Sequence, residues 1–528
     1  MAAADTYYLE TFGCQMNVLD SELVDGQLRA LGLAPTDQMT GADVILFNTC
    51  SVRQHAEDKV LSRLGQLRRL KSRRPHTVVG VIGCMAEREK EGLFAKAPHV
   101  DLLCGPGELN RLPGLLQEVW ERHERVTALA GSLSRRTEVL ARAMEYDSLE
   151  ALDLSRAPQT GPAALQSYIR VQRGCDKFCT YCVVPFTRGP ERSRPAAHIV
   201  AEARMLAERG CREVTLLGQT VNSYVQQEAG RAVRFAELLE RVQAVEGLDR
   251  IRFVTSFPAD WDEDIFRVMR DYPRIMPYLH IPAQSGSDAV LRRMRRTYTA
   301  ADYLRLMDTA RRYVPHVALA GDFIVGFCGE TEADFRRTCE LVERVEYNTI
   351  FVFKYSNRPA TAADRNLADD VPTEVKIARN RELLAVQSGI GLRRRRAMIG
   401  QRVEVLVEGY SKVARQAQAA LARGDAPLVQ ESEQDRGAEI SRTRAAQLVG
   451  RSPGDLIVVF PGGPELIGGI VTVRVEEATP LTLLGQVEGV VSPPRAAAAA
   501  EPGASSVRAA GAGLSLPLLS ASPDACAG

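Results

Sequence analysis

The sequence has no long apolar run and no marked excess of charge of either sign. No stretch reaches the roughly 20 apolar residues of a membrane-spanning helix, and no hydrophobic N-terminal segment follows a basic one. These absences predict a cytoplasmic protein with no membrane partner. The 67 Lys and Arg residues balance 66 Asp and Glu residues, for a formal net charge of +1. Any nucleic-acid surface must therefore be a local patch.

The composition is that of an ordinary globular protein. Hydrophobic residues make up 45% and charged residues 25% of 528 residues, a length that suits about three or four domains. The chain has 11 cysteines. In a reducing compartment, cysteines point to metal or redox chemistry rather than to disulfides.

One short segment carries three cysteines, Cys175, Cys179 and Cys182, separated by three and then two residues. This spacing suits thiolate ligation of an iron–sulfur cluster. Three ligands leave one iron of a four-iron cluster open to a substrate, as in a catalytic metal site. A zinc site is the alternative, but it needs a fourth ligand, and no second Cys-x-x-Cys or His pair follows nearby. A disulfide would leave one cysteine over and needs an oxidising compartment.

The N-terminal part alternates apolar strand-like runs with helical patterns, which predicts a parallel sheet with crossover helices. Three successive strand-like runs end at a cysteine: Cys14, Cys50 and Cys84. Loops at the carboxyl ends of parallel strands build the ligand site, so these thiols should converge on a second cluster. The alternative is that each is a small buried hydrophobic residue. Cys104 follows a fourth run and is either a fourth ligand or a buried structural cysteine.

From Leu165 the alternation resumes and predicts six strand–helix units, an open, partial (β/α) barrel with its site at the strand ends. Polar, Gly-rich segments follow several of these strands, and glycine lets a backbone approach a ligand closely. The predicted strands are Ser167–Gln172, Glu213–Leu217, Arg250–Val254, Tyr278–His280, Ala318–Val325 and Thr349–Phe353.

Near the C terminus, short alternating runs such as Val403–Glu408 predict a small antiparallel β-barrel. After about Val491 the chain is rich in Ala, Pro and Ser and is predicted to be disordered. The predicted boundaries are 5–124 for the first domain, 125–164 for a linker, 165–394 for the partial barrel, 397–486 for the small barrel and 492–528 for the tail.

The cysteine segment and the motifs Phe12–Asn17, Asn48–Arg53 and Gly83–Arg88 resemble the radical S-adenosylmethionine (SAM) methylthiotransferases. The resemblance implies two [4Fe-4S] clusters, one on Cys14, Cys50 and Cys84 and one on Cys175, Cys179 and Cys182. It also implies SAM as methyl donor and radical source. Cys104 lies outside the family's ligand set, and Cys328 stands where the family usually has proline.

The loops after the barrel strands resemble the SAM-binding loops of that family, and the C-terminal barrel resembles the TRAM domain of RNA-modifying enzymes. Tyr181 offers a ring that could stack on the adenine of SAM or simply pack within its loop. The other SAM contacts implied by the resemblance are Gln219, Ser256, Gln284 and Asp322.

The segments Cys175–Gly189 and Leu217–Tyr224 resemble the branch that adds a methylthio group to C2 of isopentenyladenosine beside the tRNA anticodon. Two other branches modify threonylcarbamoyladenosine in tRNA and an aspartate of a ribosomal protein. A non-catalytic iron–sulfur RNA-binding protein is a more distant alternative. The expected partners are a tRNA anticodon arm carrying isopentenyladenosine, an electron donor and a sulfur donor, and a monomer is expected.

Three basic runs are candidate phosphate-binding patches, and the alternative for each is an ordinary solvated helix face. These runs are Arg68–Arg74, Arg292–Arg296 and Arg393–Arg396.

Overall fold

The computed structural model describes residues 4–51, 54–130, 136–141, 150, 152–153, 165–422, 446–495 and 508–509. Within them lie a parallel sheet flanked by helices, an open partial barrel and a closed small barrel. Most of the predicted linker and tail lies outside these residues. None of the helices in the described segments is long and apolar enough to cross a membrane.

The first unit is a parallel sheet with the strand order β2-β1-β3-β4-β5-β6. Its central strands β3 and β4 are buried along their whole length, since helices cover both faces of the sheet. The strands are β1 Thr6–Phe12, β2 Ala34–Pro35, β3 Val44–Thr49, β4 Val78–Gly83, β5 Leu102–Cys104 and β6 Val126–Ala128. The helices are α1 Gln15–Ala30, α2 Gln54–Arg73, α3 Cys84–Glu89, α4 Gly92–Lys96, α5 Leu112–Arg122 and α6 Arg136–Ala141.

The second unit is the predicted partial barrel. Strands β13-β10-β7 form one parallel sheet and β14-β15-β16 another, and a bridge between Ile251 and Ile275 links them. The outer helices bury one continuous apolar core against these strands.

The strands of this unit are β7 Gln166–Arg170, β8 Gln172–Arg173, β9 Arg192–Ser193, β10 Glu213–Leu217, β11 Val225–Glu228, β12 Arg231–Arg234, β13 Arg250–Phe253, β14 Tyr278–His280, β15 Ala318–Val325 and β16 Thr349–Lys354. Its helices are α7 Val184–Arg188, α8 Ala196–Glu208, α9 Phe235–Gln243, α10 Glu263–Asp271, α11 Asp288–Arg293, α12 Ala300–Tyr313, α13 Glu332–Val345, α14 Ala362–Asn366 and α15 Thr373–Arg396.

The third unit is a closed barrel with the strand order β17-β18-β19-β21-β20. All of its pairs are antiparallel except β19 with β21, which closes the barrel in parallel. Its elements are β17 Arg402–Tyr410, α16 Lys412–Ala422, β18 Gln447–Arg451, β19 Ile457–Pro461, β20 Ile470–Ala478 and β21 Thr482–Ser492. A short strand, β22 Arg508–Ala509, pairs with β1.

Two element ends differ from the predicted boundaries. Strand β6 lies inside the range predicted as a linker, because its backbone pairs with β5, Leu102 with Val126 and Cys104 with Ala128. Strand β21 runs to Ser492, past the predicted end of the small barrel at 486, because it pairs with β20 along the full length of that strand.

Three buried arginines at or near the amino ends of the partial-barrel strands donate hydrogen bonds to the small barrel. Arg212 donates to the carbonyl of Gly468 at 2.7 Å, and Arg250 to that of Arg451 at 2.7 Å. Arg252 donates to the carbonyl of Ser452 at 2.8 Å. Charged donors on buried carbonyls are strong hydrogen bonds, so the small barrel is held at the edge opposite to the strand ends that carry the predicted site.

Candidate active site

The first candidate edge is formed by the ends of β1, β3 and β4, which lie in one row. Phe12 pairs with Thr49, and Thr49 pairs with Gly83. Each of these strands is followed within two residues by a predicted cluster cysteine. Parallel register thus places Cys14, Cys50 and Cys84 at the same edge of the sheet.

Glycines next to this edge allow the strand ends to approach closely. A Cβ atom at Gly13 would lie 2.7 Å from the Cβ atom of Cys50. Gly83 has φ +89, and a Cβ atom there would lie 2.4 Å from Oδ1 of Asn48. Larger residues at either position would push the cysteine-bearing loops apart.

A buried amide network beneath this edge holds two of the loops, a role that the sequence did not reveal. The Asn17 side chain accepts from the backbone N–H of Cys14 at 3.4 Å and donates to Oδ1 of Asn48 at 3.0 Å. Asn48 in turn donates to the Asn17 carbonyl at 2.9 Å and to Oγ of Ser21 at 3.0 Å. Asn17 and Asn48 are fully buried, so their bonds fix the loops after β1 and β3.

The second candidate edge is the loop of Cys175, Cys179 and Cys182, all of them partly buried free thiols. The turn is closed by the N–H of Cys182 donating to the Cys179 carbonyl at 3.0 Å. Gly174 has φ +64, and a Cβ atom there would lie 2.0 Å from the Pro190 carbonyl oxygen. Only glycine therefore fits ahead of Cys175.

Cys84 at the first edge and Cys175 and Cys182 at the second have raised pKa values, because these thiols are buried. Burial, followed by the neighbouring Cys179, raises the pKa of Cys182 to about 12. Burial also raises the pKa of Cys84, and the adjacent Arg188 guanidinium opposes that rise. Metal ligation must therefore displace protons from these thiols.

Across the described part of the chain, no three His, Cys, Asp or Glu side chains converge on one point as the ligands of a single metal ion do. Three cysteines that ligate a four-iron cluster bind three different iron atoms, so they need not share one centre.

Three of the predicted SAM contacts lie together at the barrel mouth. The N–H of Ser256 donates to the His280 carbonyl at 3.1 Å, and Nε2 of His280 lies 3.1 Å from Oδ1 of Asp322. The N–H of Gln284 donates to the Asp322 carbonyl at 2.8 Å. The Ser256 hydroxyl is buried and has no hydrogen-bond partner in the described structure.

The other two predicted contacts lie on the segment after β10 (Gln219) and in the cysteine loop (Tyr181). Gln219 is partly buried in the segment after β10. The Tyr181 ring packs edge-on against Phe327, with centroids 6.2 Å apart. Loop packing of Tyr181 is therefore observed.

Gln172 was missed by the sequence reasoning. It is fully buried next to the cysteine loop, and its Nε2 has no hydrogen-bond partner among the described residues. Its Oε1 accepts from the N–H of Thr220 at 3.3 Å. No sequence motif marked it, because its surroundings come from the segment after β10.

Two further cysteines sit in apolar surroundings. Cys104 ends β5 and is packed in the core of the first unit, where burial raises its pKa. Cys328 is buried against Phe327 and Tyr355. Both behave as small hydrophobic residues.

The two candidate edges face each other across a buried ion-pair junction. Arg188, at the end of the helix that follows the cysteine loop, donates to Asp20 of α1 at 2.9 Å. Arg170 donates to the other oxygen of Asp20 at 2.8 Å. Electrostatic interaction of Arg188 with Cys84 and Cys14 shows that this side chain also lies beside the first edge. The structure thus brings both sets of three thiols to one interface between the units.

Family models match all three units. Residues 6–105 match the Uncharacterized protein family UPF0004, residues 169–342 the Radical SAM superfamily and residues 439–487 the TRAM domain. The tRNA-2-methylthio-N(6)-dimethylallyladenosine synthase of Rhodopirellula baltica is 45% identical over 486 residues, 92% of this chain and 96% of that protein. The chain belongs to this synthase family. The Carboxydothermus hydrogenoformans synthase is 39% identical over 93% of this chain and all of that protein.

These matches confirm the predicted family and the three-unit fold class. As a radical SAM synthase of this family, the enzyme uses [4Fe-4S] clusters and SAM. A solved radical SAM methyltransferase, TsrM from Kitasatospora setae, aligns at 15% identity with a TM-score of 0.47, over 68% of this chain and 77% of that one.

Proposed function

We propose that this synthase adds a methylthio group to C2 of N6-isopentenyladenosine beside the anticodon of tRNA. The similarity to curated tRNA-2-methylthio-N(6)-dimethylallyladenosine synthases over more than nine-tenths of the chain carries the proposal. The facing sets of thiols support it, because the reaction needs a radical source and a sulfur-bearing centre close to one base.

Each candidate edge would hold one cluster. The auxiliary cluster would be held by Cys14, Cys50 and Cys84, and the radical SAM cluster by Cys175, Cys179 and Cys182. Bound there, the clusters and SAM supply the radical that activates an aromatic C–H bond, and the sulfur and methyl group that replace its hydrogen. No side-chain acid or base is assigned, since such a C–H bond offers no acidic proton.

In this proposal, side chains of the protein bind and orient SAM and hold the cysteine-bearing loops. The unpartnered Ser256 hydroxyl and the neighbouring Gln284 and Asp322 are suited to hydroxyl and amine groups of SAM. Gln219 and Tyr181 line the same mouth in the proposal. The Asn17–Asn48 network keeps the auxiliary loops in place while the base is bound.

The three basic runs differ in whether their arginines are exposed and available to bind RNA phosphates. In Arg393–Arg396, Arg393 pairs with Glu346 at 2.6 Å, and Arg395 is buried against the Asn348 carbonyl. In Arg292–Arg296, Arg292 and Arg295 are exposed beside the cysteine loop. The proposal therefore places phosphate contacts at Arg292 and Arg295.

The remaining run, Arg68–Arg74, covers the last turns of α2 and the residue after it, while the helix itself begins at Gln54, just after Cys50. Its 20 residues span about 30 Å, so this run lies far from the auxiliary edge. We infer that it is an ordinary solvated face.

The small barrel would hold the tRNA arm from the opposite edge of the partial barrel. An electron donor must reduce the radical SAM cluster, and a sulfur donor must resupply the auxiliary one. The remaining parts of the proposal are a monomeric state and a cytoplasmic location.

The test is transfer to defined tRNA. Reconstituted enzyme with SAM, reductant and sulfide is incubated with isopentenylated tRNA, with the same tRNA lacking the isopentenyl group, and with threonylcarbamoyladenosine tRNA. Mass spectrometry of the nucleosides should show methylthiolation of the first substrate alone. Equal modification of the third, or of a ribosomal protein, would refute the substrate and leave the radical chemistry standing. Absence of 5′-deoxyadenosine would favour a non-catalytic RNA-binding protein.

A further inference from the structure

Arg296 is a shielded guanidinium with no carboxylate partner within the described residues. It donates from Nη1 to Sγ of Cys179 at 3.6 Å, within the range of a sulfur acceptor. Its Nε is inaccessible to solvent and has no hydrogen-bond partner. The buried arginines Arg170 and Arg194 face carboxylates, those of Asp20 and Glu202.

The fold aims this side chain at the cysteine loop. Helix α11 ends at Arg293, and Arg295 takes the left-handed conformation with φ +58. The N–H of Arg296 then donates back to the Leu291 carbonyl at 2.8 Å. The guanidinium lies over the ring of Phe257 at 4.9 Å and that of Tyr298 at 5.6 Å.

Shielding part of a cation from water without a counter-charge is costly, because the lost hydration is not offset. The aromatic faces supply only part of that compensation. The atom that Arg296 touches is a thiol sulfur, which becomes a thiolate when it ligates iron. The counter-charge that this site lacks is therefore the one that a cluster on Cys179 would bring.

We propose that Arg296 is the positioning counter-ion of the radical SAM cluster and raises its reduction potential by donating to the Cys179 sulfur. Reduction adds negative charge, which a fixed neighbouring cation stabilises more than it stabilises the oxidised state. The inference rests on the proposed ligation by Cys175, Cys179 and Cys182. It assigns Arg296 to the cluster and removes it from the predicted RNA patch.

The test is a redox titration of the reconstituted full-length enzyme, followed by electron paramagnetic resonance. The radical SAM cluster is recognised as the signal that changes when SAM is added. Arg296→Gln should shift its reduction equilibrium at least tenfold towards the oxidised state, which is 59 mV for one electron. Arg296→Lys, which keeps the charge, should recover most of the shift. Arg292→Gln, on the same turn but exposed, should leave the potential unchanged.

An unchanged potential in Arg296→Gln at full iron content would overturn the proposal. If Arg296→Gln fails to load the cluster while Arg296→Lys loads it, the requirement is for charge and the proposal stands. If both fail to load, Arg296 has a packing role only and the proposal falls. Failure of the ligand assignment is seen separately, as full iron content in the variant that lacks Cys175, Cys179 and Cys182.

Discussion

Arg188 and Asp20 form an ion pair at 2.9 Å that joins the loop of the radical SAM unit to α1 of the first unit. The Asp20 side chain is fully buried, and that of Arg188 is 7% exposed. Asp20 also accepts from Arg170. One carboxylate thus fixes two arginines of the neighbouring unit, and with them the separation of the two sets of thiols.

Replacing Asp20 by Asn should destabilise this junction by about 3–5 kcal/mol, because two buried guanidiniums lose their counter-charge. The measurement is the urea unfolding transition of the reconstituted enzyme. Asp264→Asn is the matched control, since it removes an exposed ion pair with Arg267 that is worth at most about 1 kcal/mol. Equal shifts in the two variants would show that the junction contributes no special stability.

Asp153 should make the enzyme sensitive to acid. Burial alone would raise its pKa, but the guanidiniums of Arg170, Arg173 and Arg194 hold that pKa well below its ordinary value. The stabilisation is complete above the unfolded-state pKa of about 3.9 and is lost as the pH falls below it. Acid unfolding of the apo-protein should be less steep in Asp153→Asn than in the wild type. Identical profiles would contradict the assigned direction.

Iron content tests the ligand sets. Two four-iron clusters require about eight irons per chain after anaerobic reconstitution. Replacing Cys175, Cys179 and Cys182 together by Ala should halve that content. Cys104→Ala should leave it unchanged, because that thiol lies in an apolar core. Full iron content in the triple variant would disprove the ligand role of the loop.

SAM cleavage and methylthiolation should depend on different sets of cysteines. With Cys14, Cys50 and Cys84 replaced by Ala, the radical SAM loop keeps its own contacts, such as the bond between Thr180 and the Met294 carbonyl. SAM cleavage to 5′-deoxyadenosine should persist while methylthiolated product disappears. Both products are measured by mass spectrometry in one reaction. Loss of cleavage in a variant that still carries four irons would contradict this division.

The sequence predicted what depends on local pattern. Alternating apolar runs gave the parallel sheet and its cysteine-ended strands, because strand periodicity and parallel register place such residues at one edge. It did not predict the Arg188–Asp20 pair, since 168 residues separate the partners. Nor did it separate Arg296 from its run, because only the turn after α11 sends that side chain inward while Arg292 and Arg295 stay exposed.

The two exposed arginines of this run, Arg292 and Arg295, allow a test of how tRNA is held. Each phosphate contact makes the slope of log K against log salt more negative by about 0.9 through counterion release, or by about 0.7 on single strands. Arg292→Gln with Arg295→Gln should therefore weaken tRNA binding and make the slope less negative, by the amount that about two phosphate contacts contribute.

The matched control removes equal charge at the far end of the first unit, as Arg68→Gln with Arg69→Gln. Both side chains are exposed on the last turns of α2, far from the auxiliary edge. Their removal should leave the slope unchanged, since an anticodon loop seated between the two sets of thiols does not reach them. Fluorescence anisotropy of a labelled anticodon stem–loop across a salt series measures both variants. A slope that flattens only in the α2 variant would move the RNA path to the other end of the sheet and refute entry beside the cysteine loop.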